Sequence, residues 1–344
     1  MTEISVPHPR QNDLLIGHPD SEKAFLDAWN GGRLAHSWLI CGPKGIGKAT
    51  FAYRIARFVL SGGGEKDMFG GGPTNLEVDA ASAASRMIMS GAHPDMKIIE
   101  RGWSDESHTK RRSEIVVDDV RGVGEFLSLT PSMGGWRVVV VDAADEMNRN
   151  AANAILKVLE EPPKNALLLL LSHSPGRLLP TIRSRCRRLM MGPLQDQDVS
   201  HLLTTYCPSL GSDDVAGLVT LSEGSIGRAI ALAREGGLEL YRDMSSVLSA
   251  FPKLDPVALH AFSDRVVSRK SEGEGAWSTV SDLFLWWLAG VIRDLSAKQT
   301  QGLESWLAVW EKVQGLFAKV DSVNLDRKQA LLTAMLMVER VTRK

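Results

Sequence analysis

Two stretches of the chain are apolar without alternation: Trp136–Asp142 (WRVVVVD) and Ala166–Ser172 (ALLLLLS). Unbroken runs of valine and leucine at that length fit parallel strands buried on both faces. A shorter run, Leu34–Cys41 (LAHSWLIC), reads as another buried strand and leads into a glycine-rich turn. Beyond the turn, Ala49–Leu60 takes helical spacing through Phe51, Ile55, Phe58 and Val59. Asn150–Glu161 also reads as a helix, stopped by Pro162 and Pro163, because proline cannot continue the backbone ladder. Strands separated by helices predict a doubly wound α/β domain, with its ligand site at the carboxyl ends of the strands.

Past Pro193 the strand-like runs stop. Gln195–Glu235 alternates helical stretches with breaks at Gly211 and Gly224, and Ala258–Lys344 is helical again. We therefore expect an α/β domain over 1–193, a small helical domain over 194–247 and a helical domain over 248–344. The last holds Trp277, Trp286, Trp287, Trp306 and Trp310, side chains expected to be buried within that domain or between subunits. Two segments read as loops: the glycine-dense Ser61–Pro73 and the polar Arg101–Ser113. The latter carries Lys110, Arg111 and Arg112, read first as a solvated face and second as a DNA or partner contact.

Composition narrows the classes. A net charge of −1 over 344 residues gives no nucleic-acid polyelectrolyte signature, so DNA contact would have to be local or come through partners. Three dispersed cysteines, Cys41, Cys186 and Cys207, support neither a disulfide framework nor a zinc cluster. The polar N-terminal residues do not read as a signal peptide, and the longest apolar runs fall short of a membrane span. The expectation is a cytoplasmic protein with no membrane partner.

The candidate chemistry starts at Gly42-Pro43-Lys44-Gly45-Ile46-Gly47-Lys48, which matches G-x-x-x-x-G-K between a strand and a helix. Such a loop wraps phosphate oxygens with backbone N–H groups, and Lys48 would reach the β- and γ-phosphates. The next residue should supply a hydroxyl to Mg²⁺, yet it is Ala49. Thr50 is turned by about 100° around the helix and cannot simply substitute. Asp142 ends a strand where a metal-facing carboxylate belongs, and Ala143 follows it. Asp145 and Glu146 are read as favouring the N-terminus of the next helix. The nucleotide-binding set is therefore Gly42–Lys48, Ala49, Thr50 and Asp142, with no metal ligands assigned.

Further motifs carry a family resemblance. Asn153–Pro163 (NAILKVLEEPP) resembles the LLK-x-LEEPP helix of clamp-loader AAA+ subunits, and Leu179–Cys186 (LPTIRSRC) resembles their L-P-x-T-I-x-S-R-C segment. Gly224–Ala229 (GSIGRA) is similar to a degenerate sensor-2 segment, where motor subunits carry GS-x-R. His93-Pro94-Asp95 and Ile115–Arg121 (IVVDDVR) match the delta-prime pattern. The likeness is dense from Gly17 to Leu232 and thin beyond, where only Asn324–Leu332 is familiar.

The resemblance, to the delta-prime family of bacterial DNA polymerase III clamp loaders, implies an AAA+ P-loop α/β domain, a helical lid and an all-helical collar that assembles the ring. It implies partners: gamma or tau motor subunits and delta in a heteropentamer, with the sliding clamp and primed DNA reached through the complex. Arg185 is implied to be an arginine finger acting in trans on a neighbour's ATP. Active AAA+ ATPases follow the Asp142 position with a glutamate that orients water, and Ala143 stands there. ATP or ADP binding that is weak or not followed by hydrolysis is thus implied, in a chain that belongs to a nucleotidyltransferase complex without being an active ATPase. Many delta-prime subunits carry a four-cysteine zinc module in the region corresponding to Gly62–Ala92; that region has no cysteine here, so no zinc is expected. Ser172-His173-Ser174 departs from the usual sensor-1 residues, and His173 is read as structural. The alternatives are the ATP-hydrolysing motor subunit of the same loader and a small-molecule P-loop kinase or transferase.

Overall fold

The computed structural model describes residues 4–64, 72–105, 107, 111–133, 135–268, 275–298, 302–323 and 325–343. Two compact units emerge, one of residues 5–206 with 223–228 and the other of 1–4, 207–222 and 229–344.

The first unit is built on five parallel strands: β1 (Ser37–Cys41), β2 (Met96–Glu100), β3 (Arg137–Asp142), β4 (Ala166–Ser172) and β5 (Arg187–Met190). Their order is β2-β3-β4-β1-β5. The apolar runs make the three central strands, while β2 and β5 are the half-exposed edges. Around the sheet run α1 (Pro19–Asn30), α2 (Lys48–Leu60), α3 (Ala83–Ser90), α4 (Val117–Val120), α5 (Val123–Ser128), α6 (Arg149–Glu160), α7 (Pro180–Arg185) and α8 (Asp196–Tyr206).

Alternate strand residues feed two separate cores, as strand geometry requires. Trp38, Ile40, Val138, Val140, Leu167, Leu169 and Leu171 pack with Phe25 of α1 and Phe51, Ile55 and Phe58 of α2. Leu39, Val139, Val141, Leu168 and Leu170 face the other way, onto Val120, Val123, Leu127, Ile155, Leu159 and Ile182. In α6 the buried positions Ala151, Ala152, Ile155, Val158 and Leu159 follow the helical repeat. Asn148 caps its first turn by accepting from the Ala151 N–H at 2.9 Å.

His93-Pro94-Asp95 closes the foot of the sheet. Asp95 is fully buried; its carboxylate accepts from the backbone N–H groups of Ser132 (2.8 Å) and Met133 (2.9 Å). The buried Arg137 guanidinium pairs with it at 3.2 Å. Arg137 also donates to the carbonyls of Phe126 (3.1 Å) and Thr130 (2.8 Å), so one ion pair pins the connection between α5 and β3.

The second unit is helical: α9 (Ser212–Ser222), α10 (Ile226–Glu235, its first three residues grouped with the sheet), α11 (Gly237–Leu248), α12 (Pro256–Ser268), α13 (Gly275–Ala297), α14 (Leu303–Val323) and α15 (Arg327–Thr342). Several of its tryptophans serve its own core. Trp277 is buried edge-on against Phe317, Trp286 meets Tyr241, and Trp287 stacks with Phe251. Among the described residues no helix is long and apolar enough to cross a membrane. Part of the glycine-dense loop, 65–71, lies outside the described residues, as does Lys110.

Candidate functional site

The parallel strands β3, β4 and β1 are neighbours, so their carboxyl ends bring together Asp142, His173 and the loop after Cys41. That edge is where an open α/β sheet holds its ligand.

The loop's own hydrogen bonds reveal how it is set. Lys48, buried at the start of α2, donates through Nζ to the carbonyls of Gly42 (2.7 Å) and Pro43 (2.6 Å). Ser225 Oγ donates to Lys44 O at 2.8 Å, and the Gly227 N–H to Gly45 O at 2.9 Å. His18 Nε2 lies 2.7 Å from Ile46 O, which fixes it as the protonated ring nitrogen, since a carbonyl can only accept. The Phe51 N–H takes Gly47 O as the helix begins. Every carbonyl from Gly42 to Gly47 thus has a partner. The N–H groups of Lys44, Gly45, Ile46 and Gly47 have no acceptor among the described residues, and a run of unpaired N–H groups is what an anion-binding nest requires. A nucleotide's phosphates therefore fit this donor set.

The approach of Gly227 to the loop is close. A Cβ on Gly227 would lie 2.7 Å from Gly45 Cα, and one on Gly45 would lie 2.5 Å from Ser225 Oγ. Gly45 also has φ +80°, a region that disfavours side chains. Gly227 stands where GS-x-R would place an arginine, and Arg228 beyond it pairs with Glu223 at 3.6 Å.

The groups that would manage metal and water are missing. Ala49 follows Lys48, Thr50 is buried one position on, and the buried Ala143 follows Asp142. A hydroxyl ligand and a water-orienting carboxylate are both lacking, so the residues do not fit a catalytic Mg²⁺ site. Asp145 does not serve the next helix as its position suggests. Its carboxylate accepts from the N–H groups of His173 (2.9 Å) and Ser174 (3.1 Å), while Asn148 caps α6. Asp145 and Glu146 lie in a separate short 3-10 turn, which directs Asp145 to the end of β4 and leaves Glu146 to pair with Arg101 at 2.8 Å.

Burial dominates the electrostatics. It lowers the Lys48 ammonium to about 8, against the opposing pull of Asp142 and Asp145. It lowers His173 to about 4, with the Lys48 charge adding to the fall, so the imidazole is neutral at pH 7 and a poor proton acceptor. Asp142 is pushed up to about 6 by burial; Lys48 pulls it down, and Glu100, Glu146 and Asp145 raise it further. An unfolded aspartate titrates near ~4, so between pH 4 and 6 the folded chain holds the extra proton. This carboxyl therefore makes stability fall as pH rises through that window. Asp142→Asn should remove that contribution and stabilise the chain above pH 6 by up to about 3 kcal/mol. Urea unfolding at pH 4 and pH 7 checks this; an equal difference between variant and parent at both values would contradict it.

Arg185 sits elsewhere. It closes α7, two residues before β5 begins, and β5 pairs with β1 in the register Trp38↔Arg187 to Cys41↔Met190. Arg185 is therefore level with the amino end of β1, and the phosphate loop leaves the carboxyl end. The four paired residues of β5 and β1 lie between them, about 13 Å of strand rise. The guanidinium is exposed, donating to Glu160 Oε1 at 2.8 Å and to Thr181 O at 3.1 Å. Next to it Cys186 is buried, its thiol pushed up to about 12 by burial, so it anchors the turn as an apolar side chain. Arg111 and Arg112 pair within the chain, with Glu100 at 2.9 Å and Asp119 at 3.6 Å.

Missed by sequence reasoning were His18, Ser225 and Gly227 as supports of the loop. Each acts on a backbone carbonyl, so no spacing rule could announce it; the only signal was the glycine in the GS-x-R register.

The sheet order and the glycine loop at its carboxyl edge define a P-loop module of the AAA+ kind. Residues 17–195 match the family described as DNA polymerase III, delta subunit. DNA polymerase III subunit delta' of Pseudomonas aeruginosa is 32% identical over 281 residues, covering 79% of this chain and 77% of that protein. Its Bacillus subtilis counterpart is 30% identical, over 75% of this chain and 70% of that protein. The Escherichia coli one is 31% identical, over 62% of this chain and 59% of that protein. The chain belongs to the delta-prime subunit family of DNA polymerase III.

Proposed function

We propose that the chain is a non-hydrolysing stator of a DNA polymerase III clamp loader, with motor subunits of the gamma or tau type and a delta subunit as ring partners. The complex would load the sliding clamp onto primed DNA in the cytoplasm. Within the chain we propose a lid over 194–247 and a collar over 248–344 that joins the ring. The observation that carries the reading is the separation of Arg185 from the chain's own phosphate loop. An exposed arginine at the amino end of the strands, with the cradle at their carboxyl end, is placed to serve a nucleotide on another subunit. There its planar charge would stabilise phosphoryl transfer. Its own cradle, Gly42–Lys48 with Ala49, Thr50 and Asp142, would hold ATP or ADP weakly and with little Mg²⁺ dependence, because the anion nest is present and the hydroxyl ligand is not.

The isolated chain should therefore show no Mg-dependent ATP turnover above background. A steady-state assay reading near the ~1 s⁻¹ low end of typical enzymes, abolished by Lys48→Ala, would make the chain a motor subunit instead.

A further inference from the structure

We infer that Glu160 is a positioning residue for Arg185, holding the guanidinium ready for a neighbouring subunit's nucleotide. The inference rests on the trans-arginine reading above. Glu160 ends α6 and Arg185 ends α7, so the last residues of two helices meet. One terminal nitrogen of the guanidinium donates to Glu160 Oε1 at 2.8 Å, and the other to Thr181 O at 3.1 Å. Two fixed points on different nitrogens set the plane of the group as well as its place. Five N–H donors are available, so Nε–H and one hydrogen on each terminal nitrogen stay free for phosphate oxygens. Without such tethers an exposed arginine samples many rotamers, and that freedom must be given up on engaging a ligand.

Two features argue that the contact is not there for fold stability. Both side chains are well exposed, 36% for Arg185 and 50% for Glu160, and exposed ion pairs contribute little to folding. Glu160 is also the wrong charge for its position, since a helix C-terminus disfavours a carboxylate. An acid there gains from the arginine what it loses to the helix.

The test uses the reconstituted loader, with this chain as parent, Glu160→Ala, Glu160→Gln, Arg185→Ala and the Glu160→Ala/Arg185→Ala double variant. DNA- and clamp-stimulated ATPase is read as kcat and KM, alongside thermal unfolding of each isolated chain. Glu160→Ala should lower kcat about threefold to tenfold, the scale of modest misplacement of a reacting group. KM for ATP should stay constant, since the cradle belongs to the neighbour, and the melting temperature should not move. Glu160→Gln should fall between, because it keeps an acceptor oxygen without the charge. The double variant should match Arg185→Ala alone. A Glu160→Ala loss of equal size in both backgrounds would make the residue merely structural, and no loss, or faster hydrolysis, would overturn the inference. If Arg185→Ala itself were silent, the trans-arginine reading would fall and this inference with it.

Discussion

Replacing Arg185 with alanine should cripple ATP hydrolysis in the reconstituted loader while leaving this chain folded. The side chain lies on the surface, and among the described residues its polar partners are Glu160 and the Thr181 carbonyl, so its loss costs the fold little. If it acts in trans as proposed, hydrolysis at the neighbour's ATP should slow by roughly a thousandfold, the lower range for such an arginine. Lysine should rescue poorly, since an ammonium cannot make the paired, planar contacts of a guanidinium. Lys48→Ala in the same complex should have far less effect, because Lys48 belongs only to this chain's own cradle. The pair of variants is decisive: a motor subunit would show the opposite ranking in single-turnover ATPase, and that ranking would defeat the stator assignment.

The largest effect on stability is expected from Asp95→Ala. Asp95 is fully buried, accepts two backbone N–H groups and neutralises the buried Arg137. Its removal takes the acceptor from two backbone N–H donors and the counter-charge from a buried guanidinium. Breaking one side of a buried pair typically costs about 3–5 kcal/mol. Arg137→Ala should be similarly severe, and the two should be strongly non-additive, because the second loss removes a charge the first has already orphaned. Urea unfolding of both single variants and the double variant gives the coupling. A cost for Asp95→Ala below about 1 kcal/mol would put the network in the class of an ordinary surface contact. Since the pair lies at the foot of the sheet, loader ATPase should survive wherever the chain remains folded.

Not every part of the fold was equally legible in the sequence. Strands β1, β3 and β4 are buried on both faces, so their codes are nearly continuous apolar runs. The edge strands β2 (MKIIE) and β5 (RRLM) are short and half exposed, and their charged residues hide the pattern. The phosphate loop was readable because its chemistry lies in consecutive residues. Its supports were not, because Ser225 reaches Lys44 across 181 positions and binds a carbonyl that every residue possesses. Asp145 misled for a related reason. Its neighbours in sequence point to the following helix, but the chain turns and presents the carboxylate to the backbone after β4. Asp95 could be matched to a motif but not to a task, since Ser132, Met133 and Arg137 meet it only in the folded chain.

The wiring of the phosphate loop has a mechanical meaning. With each carbonyl from Gly42 to Gly47 already tied to the protein, the loop's outline does not depend on having a guest. In a loop that rests on its ligand for order, arrival and departure of that ligand are events the rest of the molecule can feel. Here the carbonyls from Lys44 to Gly47 keep their ties, and the Lys48 ammonium alone would turn from Gly42 and Pro43 toward a phosphate. A member of a ring built this way would behave as a fixed datum, the part whose shape stays constant while its neighbours load, fire and reset.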